Sequence, residues 1–309
     1  MGRVHARAVQ TLGAKVAAIC DVDLSRAKDL ATQLHETPAL WQPDQIDWTC
    51  LDAVFVCTPP GSRGPIELAA VRARVPFLME KPIGISAQQV LPLLQALVSD
   101  PIIHSVGYMN RYRPSVLHAR KVLSSSTPLG ITFHWAGKQY RVPWWLKEDQ
   151  SGGPFNEQGT HLIDLARFIA GDIVEVYAMA KWSAISGGIP EAIVVSLRFR
   201  KGFLGTGFYG WGASDKYIGF DMFLADEHIC LEGWNFTLRA KGVDPQTVEP
   251  NEEVYLREVE AFFKAIEFSD QTPILCDLRD AIQTQLVVDA VRRSILSGKA
   301  EQVQLLPEV

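Results

Sequence analysis

The first 106 residues alternate between short apolar segments and longer segments with helical periodicity. The apolar segments predict strands over residues 15–20, 51–57, 75–78 and 102–106, and the periodic segments predict helices over 3–13, 25–34, 64–74 and 86–98. Strands that alternate with helices of about ten or more residues are typical of a parallel sheet with helices on both faces. The sequence therefore predicts an α/β domain over residues 1–106.

The pattern changes after residue 107. A helix to about residue 123 precedes longer segments with strand alternation, at 130–136, 173–183, 191–200, 203–211 and 217–231. The turn signals among them are Gly187-Gly188, Lys201-Gly202 and Asp226-Glu227, and such tight connections favour antiparallel pairing. Helices are predicted over 160–170, 253–268 and 277–297, with Gly171 and Gly298 ending two of them. Residues 107–309 are thus predicted to form a second α/β domain with a large open, mostly antiparallel sheet.

Composition excludes several classes of function. The net charge is −5 and no long basic block occurs, which argues against nucleic acid and anionic membranes as partners. No apolar run approaches the roughly 18–20 residues that span a bilayer. The five cysteines are scattered and odd in number, as in a reduced cytoplasmic protein rather than one with disulfides or a zinc site. We expect a cytoplasmic protein with a small-molecule partner.

The segment Met79–Gly84 carries the strongest chemical signal. Glu80 and Lys81 follow a predicted buried strand, and Pro82 ends it because proline has no N–H for a strand ladder. In open α/β sheets, ligands bind beyond the carboxyl ends of the strands. The Lys81 amine could pass a proton to or from an oxygen while a hydride moves at the adjoining carbon. The alternative is a strand-end ion pair of Glu80 with a basic neighbour, with Lys81 in solvent.

The start of the chain has the spacing of a dinucleotide site. Gly2 leads directly into the first helix, and Asp21 ends the next strand about 20 residues later, as a ribose-binding carboxylate does. We therefore expect Gly2 to be the last glycine of a G-x-G-x-x-G turn, with the earlier glycines and the first strand missing from an N-terminally truncated Rossmann-type sheet. The alternative is an unstructured start. Asp21 favours NAD, since a carboxylate repels a 2′-phosphate, and Arg26 keeps NADP possible.

Residues 152–164 place three titratable side chains at helical spacing. Glu157, His161 and Asp164 stand at i, i+4 and i+7, so they share a face if the helix starts early. His161 could accept or donate a proton near neutral pH. The same set could bind a metal, although we expect none, and His161 could instead be a hydrogen-bonded residue at a helix start.

Two further groups are candidates for substrate contacts. The aromatic pair Trp144-Trp145 precedes the glycines at 152–153, and it could line a substrate pocket or pack in a core or interface. Asn110 and Arg111 fall at the predicted domain junction. There they could bond substrate hydroxyls or fix the hinge.

Taken together, several of these motifs resemble one family. They are Glu80-Lys81-Pro82, Asp21, Thr58-Pro59-Pro60 and the run from Gly152 to Asp164, and their order and spacing are similar to those of the glucose–fructose oxidoreductase / inositol dehydrogenase / MocA family. The resemblance implies a Rossmann domain followed by an α/β domain with a large open sheet. It implies hydride transfer between NAD or NADP and a hydroxyl carbon of a sugar, polyol or related molecule. It also implies a homo-oligomer, a dimer or tetramer, formed through the C-terminal sheet.

The resemblance also implies roles for individual residues. Lys81 would contact nicotinamide and substrate, His161 would lie near the reacting hydroxyl, and Glu157 would complete the catalytic set. The remaining candidates are cofactor-binding Gly2, His5, Asp21, Thr58, Pro59 and Glu80, and substrate-binding Asn110, Arg111, Trp144 and Asp164. Glu157 stands where the family often has Asp, and Arg63 stands where many members have His, which leaves the substrate open. The alternative function is a catalytically idle relative that binds a nucleotide or sugar as a sensor or partner protein.

Overall fold

The computed structural model describes residues 1–34, 37–182, 188–242 and 251–307, and the side chains of 251 and 252 are not part of the description. The helices are α1 (Gly2–Thr11), α2 (Leu24–Gln33), α3 (Pro65–Ala73), α4 (Ala87–Ser99), α5 (Pro114–Ser124), α6 (Glu148–Ser151), α7 (Thr160–Ala170), α8 (Asn251–Phe268) and α9 (Leu278–Ser297). The strands are β1 (Ile19–Cys20), β2 (Ala39–Leu40), β3 (Val54–Val56), β4 (Phe77–Met79), β5 (His104–Val106), β6 (Gly130–Gly137), β7 (Ile173–Trp182), β8 (Pro190–Phe199), β9 (Leu204–Trp211), β10 (Tyr217–Phe223), β11 (His228–Glu232), β12 (Thr237–Arg239) and β13 (Glu301–Gln302).

The N-terminal strands are parallel, as predicted. Within the described residues they form two sheets, β1-β2 and β3-β4-β5, and β1 is not paired with β3. Strand β4 consists of Phe77, Leu78 and Met79, all of which are fully buried, as expected for a parallel strand covered on both faces. The strands are shorter than predicted, since the segments 15–20 and 51–57 contain only Ile19–Cys20 and Val54–Val56.

The C-terminal sheet has eight strands among the described residues, in the order β12-β11-β10-β6-β9-β8-β7-β13. All of its pairings are antiparallel except that of β6 with β9, so the predicted mostly antiparallel sheet is confirmed. One face packs against α5, α7 and α9 through inward residues such as Phe133, Tyr209 and Leu197. The opposite face carries no helix within the described residues.

Some boundaries differ from the prediction. The single strand predicted over 217–231 is wrong: it is the hairpin of β10 and β11, closed by a bond from the Leu224 amide to the Glu227 carbonyl at 2.8 Å. The turn signal at Asp226-Glu227 lies in that hairpin. Strands β2, β12 and β13 and the short helix α6 were not predicted. Of the predicted C-terminal sheet, Ser183 and Gly187 lie outside the described residues.

The last two helices return to the N-terminal domain. Val259 of α8 packs against Ala8 and Val9 of α1. The first half of α9 belongs to the same core as β4, and its second half belongs to the core under the large sheet. The division predicted at residues 106 and 107 is therefore crossed by α8 and α9, because these helices need apolar partners that the N-terminal domain supplies. No helix in the described part of the chain is both long enough and apolar enough to cross a membrane.

Helix α8 also buries a carboxyl group. Glu258 is fully buried, and neither of its carboxylate oxygens has a hydrogen-bond partner among the described residues. Burial, with the nearby negative charge of Glu80, raises the pKa of Glu258 well above its usual value. The folded protein therefore keeps a proton on Glu258 at pH values where the unfolded chain, with a glutamate pKa of about 4.3, has lost it.

This difference in proton binding makes the free energy of unfolding depend on pH. Above the unfolded pKa the folded state binds more protons, so the contribution of Glu258 to the free energy of unfolding falls by about 1.4 kcal/mol per pH unit until the folded group ionises. We expect Glu258→Gln to stabilise the protein more at pH 8 than at pH 5.5 in urea unfolding. Glu260→Gln, on the same helix with its side chain 47% exposed, serves as the control. Equal shifts for both variants at both pH values would contradict the prediction.

Candidate active site

The catalytic candidates from the two domains meet at Lys81. The residue follows β4, and its side chain is 10% exposed. The Lys81 Nζ donates to the Glu157 Oε1 at 2.7 Å and to the Glu157 backbone carbonyl at 2.9 Å. A partly buried ion pair thus joins the carboxyl end of a parallel strand to the segment that precedes α7, 76 residues further along the chain.

Glu157 lies in a π-helical turn, Phe155–Gly159, that leads into α7. Such turns are rare and are frequent at functional sites. The turn needs a glycine at position 159, because a Cβ there would lie 2.4 Å from the Phe155 ring. The Glu157 carboxylate is held a second time by the Trp145 Nε1, which donates to the Oε2 at 3.2 Å.

The aromatic pair is divided between two environments. Trp145 is fully buried and contacts Tyr140 and Trp211, with ring centroids 5.6 and 5.7 Å away. Trp144, the predicted substrate residue, is partly exposed beside it. The residue that contacts Glu157 is therefore Trp145, which the sequence analysis named only as the second member of the aromatic pair.

The His161 imidazole is buried between two aromatic rings. Its ring stacks on Trp135, with centroids 6.0 Å apart and planes 6° apart, and it meets Tyr108 edge-on at 6.3 Å. Burial lowers the pKa of His161 well below its usual value, and the positive charges of Lys81 and Arg113 lower it further. At neutral pH the ring is therefore uncharged and able to accept a proton. Its Nδ1 is buried without a hydrogen-bond partner among the described residues.

Trp135 and Tyr108 were not among the predicted site residues. The Tyr108 hydroxyl is hydrogen-bonded to the Thr160 Oγ1 at 2.8 Å, which fixes the ring against His161. Tyr108 comes shortly after β5, so the rule that ligands bind beyond strand ends could have found it. Trp135 faces inward on β6, and strand periodicity alone does not say which helix residue it meets.

Arg111 and Asp164, both predicted substrate residues, are paired with each other. The Arg111 guanidinium donates to both Asp164 carboxylate oxygens, at 2.5 and 2.9 Å, and also reaches Asp280. The side chains of the pair are 1% exposed. Protein partners therefore occupy the groups that a substrate would need, which favours the alternative that Arg111 fixes the domain junction. Asn110 is 3% exposed, and its side-chain oxygen accepts from the Arg113 Nε at 2.8 Å.

These contacts also separate the three side chains considered as a metal site. The Glu157 carboxylate faces Lys81, and the Asp164 carboxylate faces Arg111. Within the described ranges, no group of three or more His, Cys, Asp and Glu side chains has a metal-binding arrangement.

The N-terminal candidates fall into two groups. Asp21 follows β1, is partly exposed, and accepts from the Asp23 amide at 2.9 Å. Gly2 begins α1, whose first turn has no side-chain cap, and no atom lies within 4 Å of where a Cβ would be. The Thr58 Oγ1 is buried with no partner among the described residues, and Pro59 follows it at the carboxyl end of β3. Open helix amides, an unpaired hydroxyl and a strand-end carboxylate are groups that suit a dinucleotide.

His5 and Glu80 contact each other instead of an open surface. The His5 Nε2 lies 2.7 Å from the Glu80 Oε1, and both residues are buried. Burial raises the pKa of Glu80, but the bond and charge of His5 and the charges of Lys81 and Arg63 outweigh it, so the pKa is lowered. The ionised Glu80, which directly precedes Lys81, thus joins α1 to the carboxyl end of β4.

Two family models match most of this chain. A model described as "Oxidoreductase family, NAD-binding Rossmann fold" matches residues 1–108, and one described as "GFO/IDH/MocA C-terminal domain" matches residues 128–233. The chain belongs to the GFO/IDH/MocA family of oxidoreductases, whose N-terminal domain is an NAD-binding Rossmann fold.

Individual relatives agree with this assignment. The uncharacterized oxidoreductase YrbE of Bacillus subtilis is 23% identical, over 98% of this chain and 94% of its own. Inositol 2-dehydrogenase 2 of Saccharopolyspora erythraea is 31% identical, over 55% of this chain and 51% of its own. A levoglucosan dehydrogenase solved with NADH and levoglucosan has the same fold, with a TM-score of 0.88 at 19% identity over 99% of this chain and 97% of its own. The matches do not support the alternative of a catalytically idle relative.

The Arg111–Asp164 pair yields a prediction that separates a structural from a substrate role. Removing one partner of a buried ion pair leaves an uncompensated charge, and we expect Asp164→Ala to lower the free energy of unfolding by about 3–5 kcal/mol. Asp172→Ala, which removes a 29% exposed partner of Arg167, is the control and is expected to cost about 1 kcal/mol or less. Urea unfolding measures both. A fully stable Asp164→Ala protein with a raised KM would instead restore the substrate role.

Proposed function

We propose that this protein is an NAD-dependent dehydrogenase that transfers a hydride between the nicotinamide and a hydroxyl carbon of a sugar, polyol or related small molecule. The observation that carries the proposal is the convergence of Lys81, Glu157 and His161, from two domains, at the carboxyl end of β4. Two of the proteins named above add support, since their names refer to inositol and levoglucosan.

The charge state of each residue indicates its role in the proposed reaction. When bound, NAD would supply the hydride acceptor for oxidation of the substrate. The neutral His161 takes the proton that leaves the substrate hydroxyl, because its low pKa keeps it unprotonated before the reaction. The Lys81 amine donates a hydrogen bond to the same oxygen and stabilises the negative charge that develops there. Glu157 and Trp145 hold the lysine in place.

The cofactor residues are proposed from their positions. Asp21 would bond the adenosine ribose, which favours NAD over NADP, and the first turn of α1 with Gly2 would face the pyrophosphate. Thr58 and Pro59 would lie along the dinucleotide. His5 and Glu80 are proposed to hold the backbone next to Lys81 in place on the side where the cofactor would bind. On the substrate side we retain Trp144, which is partly exposed and directly precedes Trp145, the residue that contacts Glu157.

Replacement of Lys81 tests the proposal directly. We expect Lys81→Met to lower kcat/KM by about 10²–10⁴-fold, because a positioned acid–base group contributes about that much, while the dissociation constant for NADH stays within a few-fold. Turnover is followed as NADH absorbance with a panel of sugars and polyols, and NADH binding by fluorescence titration. Lys138→Met, with a 63% exposed side chain, is the control.

Two results would refute the proposal. One is a Lys81→Met protein with the kcat/KM of the parent. The other is a parent protein that neither binds NADH nor reduces NAD with any member of the panel.

We also propose that the protein self-associates through the helix-free face of the large sheet. That face exposes apolar side chains on β7, β8, β9 and β10, which are Tyr177, Met179, Val194, Leu204, Phe208 and Phe223. A depression of ≈ 550 Å³ lies on the same face, between Tyr177 of β7 and Phe223 of β10. Contiguous apolar patches of this kind mark interaction sites. A second copy of the same sheet supplies a matching surface with two-fold symmetry.

A charge on this face should prevent association. We expect Val194→Glu with Phe208→Glu to shift the protein from dimer or tetramer to monomer in light scattering after size exclusion, because two copies would bury the new charges. Leu296→Glu, at a 76% exposed position on α9, is the control and should leave the mass unchanged. A monomeric parent protein would rule out the interface.

We propose a cytoplasmic location as well, because all five cysteines, Cys20, Cys50, Cys57, Cys230 and Cys276, are free thiols.

A further inference from the structure

One face of α9 reaches both loops that flank the Lys81–Glu157 pair. Gln285, Asp289 and Arg292 are spaced i, i+4 and i+7 and therefore share that face. We name residues 82–86, between Lys81 and α4, the lysine loop. We name residues 151–154, just before the π-helical turn of Glu157, the glutamate loop.

The lysine loop is held by two bonds from other parts of the chain, and a third holds the first residue of α4, which follows it. The Arg292 Nη1 donates to the Ile85 carbonyl at 3.1 Å. The Asn156 Nδ2 donates to the Gly84 carbonyl at 3.0 Å. The Asp289 Oδ2 accepts from the amide of Ala87, the first residue of α4, at 2.8 Å. These contacts begin three residues after Lys81, so they restrain the backbone that follows the lysine.

Arg292 and Asn156 also hold the glutamate loop. The Arg292 Nη2 donates to the Gly152 carbonyl at 2.7 Å, and the Asn156 Nδ2 donates to the Ser151 carbonyl at 2.8 Å. One guanidinium and one amide therefore each bridge the two loops. The Gln285 Nε2 completes the set by donating to the Asn156 Oδ1 at 2.8 Å and to the Asp289 Oδ1 at 3.1 Å.

The arrangement is rigid for a physical reason. Asn156 and Gln285 are 1% and 0% exposed, so each bond would be replaced by an unpaired buried group if the loops moved apart. The bonds of Arg292 are charge-assisted, which makes them stronger than neutral ones. Gly152 has φ 71°, and a Cβ there would lie 2.7 Å from the Asn156 Nδ2. The backbone of the glutamate loop therefore lies so close to the Asn156 side chain that only a glycine fits at position 152.

We propose that Arg292, with Asn156, Gln285 and Asp289, forms a latch that sets the position of the Lys81 amine relative to the Glu157 carboxylate. The latch residues are positioning residues, since they reach the site only through the two loops. The inference rests on the proposed function for its catalytic consequence, and its structural part can be measured separately. A misplacement of about 1 Å at a catalytic group can cost on the order of 100-fold in rate.

Adjacent arginines on α9 provide a matched comparison. Arg293 follows Arg292 directly, but its guanidinium bonds the Gln302 carbonyl at 3.3 Å and lies 3.6 Å from Glu301, away from both loops. Arg292→Met is therefore compared with Arg293→Met. Hydrogen exchange followed by mass spectrometry should show faster exchange of peptides covering residues 82–87 and 150–157 in Arg292→Met only, with both loops affected together.

Kinetics test the consequence for the reaction. We expect Arg292→Met to lower kcat about 10–100-fold with a smaller change in KM and NADH affinity, and to displace the pH profile of kcat. Arg293→Met should keep the parent profile. Arg292→Lys keeps the positive charge, but its single amine replaces the two guanidinium nitrogens that bond the two carbonyls. We therefore expect its kcat to lie between those of Arg292→Met and the parent. If Arg292→Met does not fold, Arg292→Lys against Arg293→Lys gives the same comparison.

The outcomes are distinct. Unchanged exchange in both loops, or exchange that rises in only one of them, overturns the latch. Faster exchange with an unchanged kcat and pH profile overturns its positioning role. A parent protein without NAD-dependent turnover defeats the proposed function, while the coupled exchange of the two loops still decides whether the latch exists.

Discussion

The ion pair between Lys81 and Glu157 is the interaction on which the site depends. It spans two domains, and both side chains are about nine-tenths buried, at 10% and 13% exposure. In such surroundings a lone ammonium or carboxylate would pay a large desolvation cost, so each group requires the other. Each partner makes a second hydrogen bond: Glu157 accepts from Trp145, and Lys81 donates to a backbone carbonyl. These bonds restrict the orientation of the pair.

Several neighbouring features follow from that pair. The positive charge of Lys81 reinforces burial in keeping His161 neutral, and it helps to keep the buried Glu80 ionised. The two domains must also stay in register for the pair to form. The crossing of α9 from one core to the other supplies that register, and the buried Arg111–Asp164 pair fixes the start of the C-terminal domain against α7. The geometry of the candidate active site and the packing of the domains therefore depend on the same elements.

Much of the fold was predictable because its signals are local. The fully apolar β4 and the helix α7 ending at Gly171, which has φ 101°, follow from periodicity and from backbone preferences within a few residues. The hairpin of β10 and β11 was predicted as one strand because its apolar pattern continues through the turn. Strand β13 was missed, since its two residues gain strand geometry only by pairing with β7.

The sequence by itself determined the two-domain α/β architecture, the family, the NAD cofactor and the candidate pair Lys81 and His161, because each rests on residue type and spacing along the chain. Tertiary structure alone decided what those side chains meet. It paired Arg111 with Asp164, selected Trp145 over Trp144 for the contact with Glu157, and brought Arg292 to loops 140 and 207 residues away. The reason is that burial and partner choice depend on which surfaces pack together, and no short-range pattern encodes contacts across such separations.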